Sequence, residues 1–124
     1  MSKISRFYIL LCWTVVILIL ISFPMPEYEG TKITIYDKLV HAFLFGVFSY
    51  LIIYSLVLFR SKNFKLSFIM LISFLAGAIY AGIGEYIQTF VPGRTVSEYD
   101  FLGGLAGILI SLIVSYGIFK REKA

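Results

Sequence analysis

Two ionisable residues inside or next to apolar segments are the best candidates for acid–base chemistry. His41 lies in the apolar run 39–59, and Glu85 directly follows the run 66–84. Ionisable side chains at membrane depth are costly, so they usually face a polar cavity or a partner. Both can exchange protons with a substrate, and we therefore predict that His41 and Glu85 are catalytic acid–base residues.

Two further residues share helix faces with this pair. Asp37 precedes His41 by four residues, and Gln88 follows Glu85 by three. Residues three or four apart are neighbours on a helix surface. Asp37 and Gln88 are therefore predicted substrate-binding residues.

Arg94 and Asp100 complete the predicted binding set. An arginine can hold a phosphate or a carboxylate through two hydrogen bonds, although Arg94 can equally serve as a plain ion partner of a nearby carboxylate. Asp37 and Asp100 also end helix-capping patterns that begin at Thr34 and Ser97. For either aspartate alone, capping explains the sequence as well as binding does.

Several site classes lack support in the sequence. One histidine with two or three carboxylates could hold a metal, but a single histidine without a paired ligand motif is a weak signal, and no metal site is predicted. No nucleotide loop or nucleophile elbow indicates a cofactor, whose identity is left unknown. The net charge is +4, but the cations lie at the ends of apolar runs instead of forming a stripe with aromatic residues. The sequence therefore predicts no nucleic-acid partner.

The elements that position these residues are membrane-spanning helices. The chain is 60% hydrophobic with a mean hydropathy of +0.92, more apolar surface than a soluble core of this size can bury. Helices of about 20 apolar residues cross a bilayer with all backbone groups paired. We predict an all-α integral membrane four-helix bundle in one domain, 1–124, with spans at approximately 6–24, 38–59, 66–90 and 101–119.

The cations predict the orientation of this bundle. Eight lysines and arginines flank the first span, join the second to the third, or follow the fourth, whereas the other two connections are richer in acids. By the positive-inside rule, both termini lie in the cytoplasm. The predicted site residues then face the extracytoplasmic side of the cell membrane.

Small residues predict close helix packing. Gly103 and Gly107 form a G-x-x-x-G pair in the fourth span. Packing within the chain is favoured over dimerisation, and the oligomeric state is left open.

The polar motifs resemble the VanZ-like family over nearly the whole chain. The motifs that carry the resemblance are Asp37-Lys38-x-x-His41, Glu85-x-x-Gln88, Arg94 and Asp100. The resemblance implies a multi-pass bacterial membrane protein, with a link to teicoplanin resistance, and implies that these residues form the site. One position departs from the family pattern, because Gly104 stands where members often have asparagine.

Two functions of different classes are compatible with these patterns. The first is action on, or recognition of, an envelope lipid headgroup or lipid-linked precursor at the outer leaflet, with the lipid bilayer as surroundings. The alternative is a non-catalytic membrane factor that binds a partner protein or an antibiotic, with the polar residues fixing helix packing. A transporter is the weakest hypothesis, because the chain has no internal repeat or broken-helix pair.

Overall fold

Four long α-helices make up most of the described chain. The computed structural model describes residues 2–23, 31–93 and 98–122. The helices are α1 (Lys3–Ser22), α2 (Thr31–Leu56), α3 (Leu66–Gln88) and α4 (Glu98–Phe119), and α2 continues into a short 3₁₀ turn, Val57–Phe59. Each is long and apolar enough to cross a membrane. The prediction of an all-helical chain with four membrane-length helices is confirmed.

Helix boundaries differ from the predicted spans mainly at α2. This helix begins at Thr31, seven residues before the predicted span, so Thr34 lies inside the helix and does not cap it. The predicted span began where the apolar run begins. The helix extends further back because no glycine or proline interrupts residues 31–37. At α4, the helix begins at Glu98, and the proposed cap Ser97 lies outside the described residues.

The third helix ends slightly earlier than predicted, at Gln88. The Thr89 hydroxyl donates to the Tyr86 carbonyl at 2.6 Å and occupies one of the free acceptors at the helix end. Gly93 then adopts φ 78°, a conformation that side chains disfavour. Proline cannot continue a helix, so the sequence predicts that Pro24 and Pro26 stop the first helix, but both lie outside the described residues.

Hydrogen bonds between helices show that consecutive helices run antiparallel. Arg6, at the start of α1, donates to the Tyr54 carbonyl near the end of α2 at 2.8 Å. Gln88, at the end of α3, lies against Ile21 at the end of α1. We call the end formed by the starts of α2 and α4 the acidic end, and the opposite end, which holds the start of α1 and the end of α4, the basic end.

The most extensive interface joins α2 to α4, and glycine makes it possible. A Cβ atom at Gly107 would overlap the backbone of Ala42, and one at Gly103 would lie 3.0 Å from the Lys38 carbonyl oxygen. The predicted packing of this glycine pair within the chain is confirmed. The close crossing holds the start of α4 against the start of α2.

The core and the outer faces of the bundle are both apolar. Phe45 and Ile108 are buried between the helices, and a second core near the basic end surrounds Ile53. Outward-facing residues such as Ile79 and Ile113 are 63% and 72% exposed. Such a continuous apolar exterior is typical of a protein surrounded by lipid.

Candidate functional site

Four of the six predicted site residues meet at the acidic end. Asp37 and His41 come from α2, Glu85 from α3 and Asp100 from α4. We call these four residues the acidic cluster. Arg94, the predicted clamp for a phosphate, lies outside the described residues.

His41 and Glu85 form a polar contact between α2 and α3 at the acidic end. His41 is the eleventh residue of α2, and Glu85 lies three residues before the end of the antiparallel α3, so both reach the same depth. The His41 Nε2 atom lies 3.2 Å from Glu85 Oε1. His41 is only 3% exposed, so this pair interacts with little screening by solvent.

The imidazole of His41 faces oxygen atoms on both sides. Its Nδ1 atom lies 2.8 Å from the Asp37 backbone carbonyl and 3.8 Å from Asp37 Oδ1. A neutral imidazole donates from one nitrogen and accepts at the other, whereas the protonated ring donates from both. Because the Asp37 carbonyl oxygen can only accept, Nδ1 carries a hydrogen, and Nε2 faces the Glu85 carboxyl group at a distance that permits proton exchange.

Asp100 brings a second carboxyl group against Asp37. The Asp37 and Asp100 carboxyl groups are close neighbours, and the His41 imidazole and the Lys38 ammonium also lie near Asp100. Asp100 is 2% exposed, whereas the Asp37 side chain retains 22% of its exposure. The acidic cluster is therefore buried at Asp100 and open to its surroundings at Asp37.

The same residues offer donors for a cation. Asp37, His41 and Asp100 each have a nitrogen or oxygen atom within 4.8 Å of those of the other two. Imidazole nitrogen and carboxylate oxygen are common metal ligands in proteins.

Gln88 lies apart from these contacts. Its side chain is fully buried, and its Nε2 atom donates a long hydrogen bond, 3.4 Å, to the Ile21 carbonyl. The structure gives Gln88 a role in joining α3 to α1. Its predicted role in substrate binding stays a prediction.

Phe45 is a neighbour of the site that the sequence-based prediction missed. Its ring stacks on the His41 imidazole, with centroids 6.1 Å apart and an angle of 26°. A Cβ at Gly104 would lie 3.2 Å from this ring, so Phe45 occupies the space that a larger residue at 104 would need. The spacing of four residues between His41 and Phe45 is the signal that could have identified the stacking partner.

Lys38 and Tyr99 lie beside the acidic cluster, nearer the surface. The Lys38 ammonium lies 5.6 Å from the centre of the exposed Tyr99 ring. A lysine and a tyrosine at the end of membrane-length helices are typical of a membrane interface.

Comparison with known proteins identifies one relative and no established family. The chain is 24% identical over 108 residues to an uncharacterized protein of Schizosaccharomyces pombe, a match that covers 86% of this chain. The chain spans 63% of the length of that relative. No family model and no solved structure matches the chain. The resemblance to the VanZ-like family therefore stays a prediction from the motifs.

Proposed function

We propose that this protein recognises or modifies the headgroup of a lipid, or of a lipid-linked precursor, at the outer leaflet of the cell membrane. The observation that carries the proposal is the buried His41–Glu85 pair beside two further carboxyl groups, in a chain of four membrane-length helices. Such a concentration of ionisable groups is costly in a membrane and marks functional sites by default.

The depth of the acidic cluster favours a headgroup as the ligand. His41 lies five residues inside the apolar segment 36–59, which corresponds to roughly 8 Å at about 1.5 Å per residue. This depth matches the region just below the headgroups. A polar ligand entering past Asp37 would meet Lys38 and Tyr99 first.

Within such a complex, His41 and Glu85 have distinct roles. His41 faces Glu85 with one ring nitrogen and Asp37 with the other, so it can pass a proton between a ligand and a carboxylate. Phe45 fixes the plane of the ring. His41 is the proposed acid–base group, and Glu85 is its proposed proton partner.

The sidedness is part of the proposal. The basic end holds the start of α1, the end of α4 and a groove lined by four cations, Arg60, Lys62, Lys65 and Lys120. The positive-inside rule assigns such an end to the cytoplasm, which leaves the acidic cluster facing outward. A VanZ-like role in teicoplanin resistance is compatible with this arrangement. The match to a fission yeast protein favours a membrane lipid over a precursor restricted to the bacterial cell wall.

Comparative mass spectrometry of membrane lipids tests the proposal. Cells that lack the protein are complemented with wild type, His41→Ala, Glu85→Gln or, as a matched control, the exposed and acidic Glu98→Gln, all at equal abundance. We expect the same lipid species to change in the deletion and in the first two variants, and to return to normal with Glu98→Gln. Normal lipid profiles in all complemented cells would reject the proposal.

A second candidate function is a non-catalytic factor that binds a partner protein or an antibiotic. The observation that favours it is the hydrogen bond from Gln88 to α1, which shows that buried polar groups at this end also join helices. Under this alternative, Glu85→Gln lowers the thermal midpoint of the purified protein in detergent and leaves the lipids unchanged.

A further inference from the structure

The donor atoms of Asp37, His41 and Asp100 have the spacing of a metal coordination shell. All three lie within 4.8 Å of one another. Around an ion with ligands at about 2.1–2.4 Å, adjacent ligand atoms are roughly 3 Å apart and opposite ones roughly 4.2–4.8 Å apart. Ligand atoms at such separations can share one ion once the side chains adjust their rotamers.

The surroundings of Asp100 independently favour the binding of a cation. Asp100 is 2% exposed, and its Oδ1 atom has no hydrogen-bond partner among the residues that the structure describes. A buried carboxylate oxygen without a donor is strongly unfavourable, and the adjacent carboxyl group of Asp37 adds repulsion. An ion bound between these two groups would satisfy the oxygen and offset the repulsion.

Glu85 completes the pattern around the imidazole. Histidine ligands usually direct their second ring nitrogen at a carboxylate, which fixes the ring and strengthens the metal-binding nitrogen. The Nε2 atom of His41 has such a partner in Glu85, at 3.2 Å, and Nδ1 is left on the side of Asp37. Ion binding at Nδ1 would replace its present hydrogen bond to the Asp37 carbonyl, and with the ion bound His41 would serve as a ligand for recognition of a headgroup and no longer as an acid–base group.

We propose that Asp37, His41 and Asp100 bind a divalent cation, and that this cation holds the phosphate of a lipid headgroup. The second half of this inference rests on the proposed function. Three carboxyl groups repel a phosphate, so the acidic cluster by itself is a poor receptor for one. An ion with three protein ligands keeps open positions that phosphate oxygens can occupy, and the partly exposed Asp37 provides the approach.

The ligand set suits an ion that accepts both nitrogen and oxygen. Carboxylate oxygens suit Mg²⁺, Ca²⁺ and Mn²⁺, whereas imidazole suits Zn²⁺ and other transition metals. Mn²⁺ tolerates both kinds of ligand and gives an electron paramagnetic resonance signal that distinguishes free from bound ion. It is therefore the probe for the first experiment.

The experiment uses the full chain purified in detergent, stripped with EDTA and titrated with Mn²⁺. We expect wild type to bind one Mn²⁺ per chain, and Asp100→Asn and His41→Gln to bind at least tenfold more weakly. Glu98→Gln is the matched control, because Glu98 is an exposed acid in the first turn of the same helix as Asp100. It should bind as wild type does. The thermal midpoint without metal shows whether each variant is folded.

Three results would overturn the cation site. They are an absence of saturable binding to wild type, wild-type affinity in folded Asp100→Asn and His41→Gln, and an equal loss of affinity in Glu98→Gln. An absence of saturable Mn²⁺ binding to wild type rejects the cation site even if both site variants fail to fold.

The cation site and the proposed function fail separately. The titration contains no phosphate headgroup, so saturable Mn²⁺ binding with unchanged lipids in the cellular experiment supports the cation site and rejects the lipid function. If the lipid composition changes in the cellular experiment but the purified protein does not bind Mn²⁺, the lipid function is supported and the cation site is rejected. If both experiments are positive, Mn²⁺ should increase binding of short-chain phosphatidylglycerol to the detergent-purified protein at least tenfold over EDTA, and equal binding would overturn the phosphate bridge.

Discussion

Arg60 at the basic end and Asp100 at the acidic end are both charged residues beside helix termini, but their surroundings differ. The Arg60 guanidinium donates hydrogen bonds to the carbonyl oxygens of Phe119 and Glu122, at 2.7 and 2.6 Å. These acceptors lie at and just after the end of α4, where carbonyl groups have no partner within the helix. Asp100 is instead buried against another carboxyl group, with one oxygen unpaired among the described residues.

Charged residues at the basic end stabilise the fold, whereas those at the acidic end are unfavourable for it. At the basic end, cations follow the ends of α2 and α4, where the helix dipole favours positive charge. At the acidic end, Asp100 has a favourable position in the first turn of α4, but Glu85 lies near the end of α3, where the dipole disfavours an anion. Proteins retain such unfavourable groupings mainly at functional sites.

The largest expected effect breaks the crossing that positions the acidic cluster. Gly107→Ala places a Cβ against the Ala42 backbone, so α4 must move away from α2. Overpacking typically costs about 1–3 kcal/mol of unfolding free energy, and more where backbone atoms collide. We expect a loss of about 3 kcal/mol or greater, measured by unfolding in mixed micelles with Trp13 fluorescence.

Gly117→Ala is the control for this substitution. No atom lies within 4 Å of a Cβ at Gly117, so the change should be neutral or add up to about 1 kcal/mol of stability. Equal losses from the two variants would show that the α2–α4 crossing does not depend on a close backbone approach.

The second effect tests the structural assignment of the basic end. Arg60→Gln removes hydrogen bonds from a charged donor to two carbonyl groups, and we expect a loss of about 1.5 kcal/mol of unfolding free energy. The exposed Lys62→Gln should change stability by less than about 0.5 kcal/mol. Neither variant should alter Mn²⁺ binding or lipid composition. A change in either property after Arg60→Gln would contradict the division between the two ends.

The third effect has the opposite sign. Asp100→Asn keeps the shape of the side chain and removes a buried charge that faces Asp37, so the metal-free protein should gain about 1 kcal/mol of unfolding free energy. The same variant should lose Mn²⁺ binding. A loss of stability comparable to that of Arg60→Gln, in the same micelle assay, would place the acidic cluster with the structural charges.

Depth along the helices could be predicted from the sequence, because helical rise is constant. Counting residues along antiparallel helices places His41 and Glu85 at one level, and the structure brings them to 3.2 Å. The direction in which each side chain faces depends on how the helices are rotated, and that is set by packing. Gln88 shows the limit, since it shares the predicted face with Glu85 but contacts α1.

Helix starts and the role of Gly104 were harder to predict. Hydrophobicity locates the membrane-crossing part of α2 but carries no signal for the polar turns from Thr31 that extend it. The space at Gly104 is filled by Phe45, a residue far away in sequence, which only the assembled bundle reveals. Neither feature follows from the order of the polar motifs.

The smallest expected effect concerns an uncharged hydrogen bond in the middle of the bundle, which serves as a reference for the two charged ends. Ser73 donates to the Ser49 carbonyl at 2.8 Å, and the two hydroxyl groups lie 2.6 Å apart. Such uncharged contacts between membrane helices contribute about 0.6 kcal/mol on average, so Ser73→Ala should lower the unfolding free energy by about that amount. The exposed Ser67→Ala, on the same helix, should have no measurable effect. If Ser73→Ala costs as much as Arg60→Gln, the basic end is stabilised no more than any buried polar contact, and the contrast between the ends reduces to the buried Asp100 Oδ1 atom, which has no hydrogen-bond partner among the described residues.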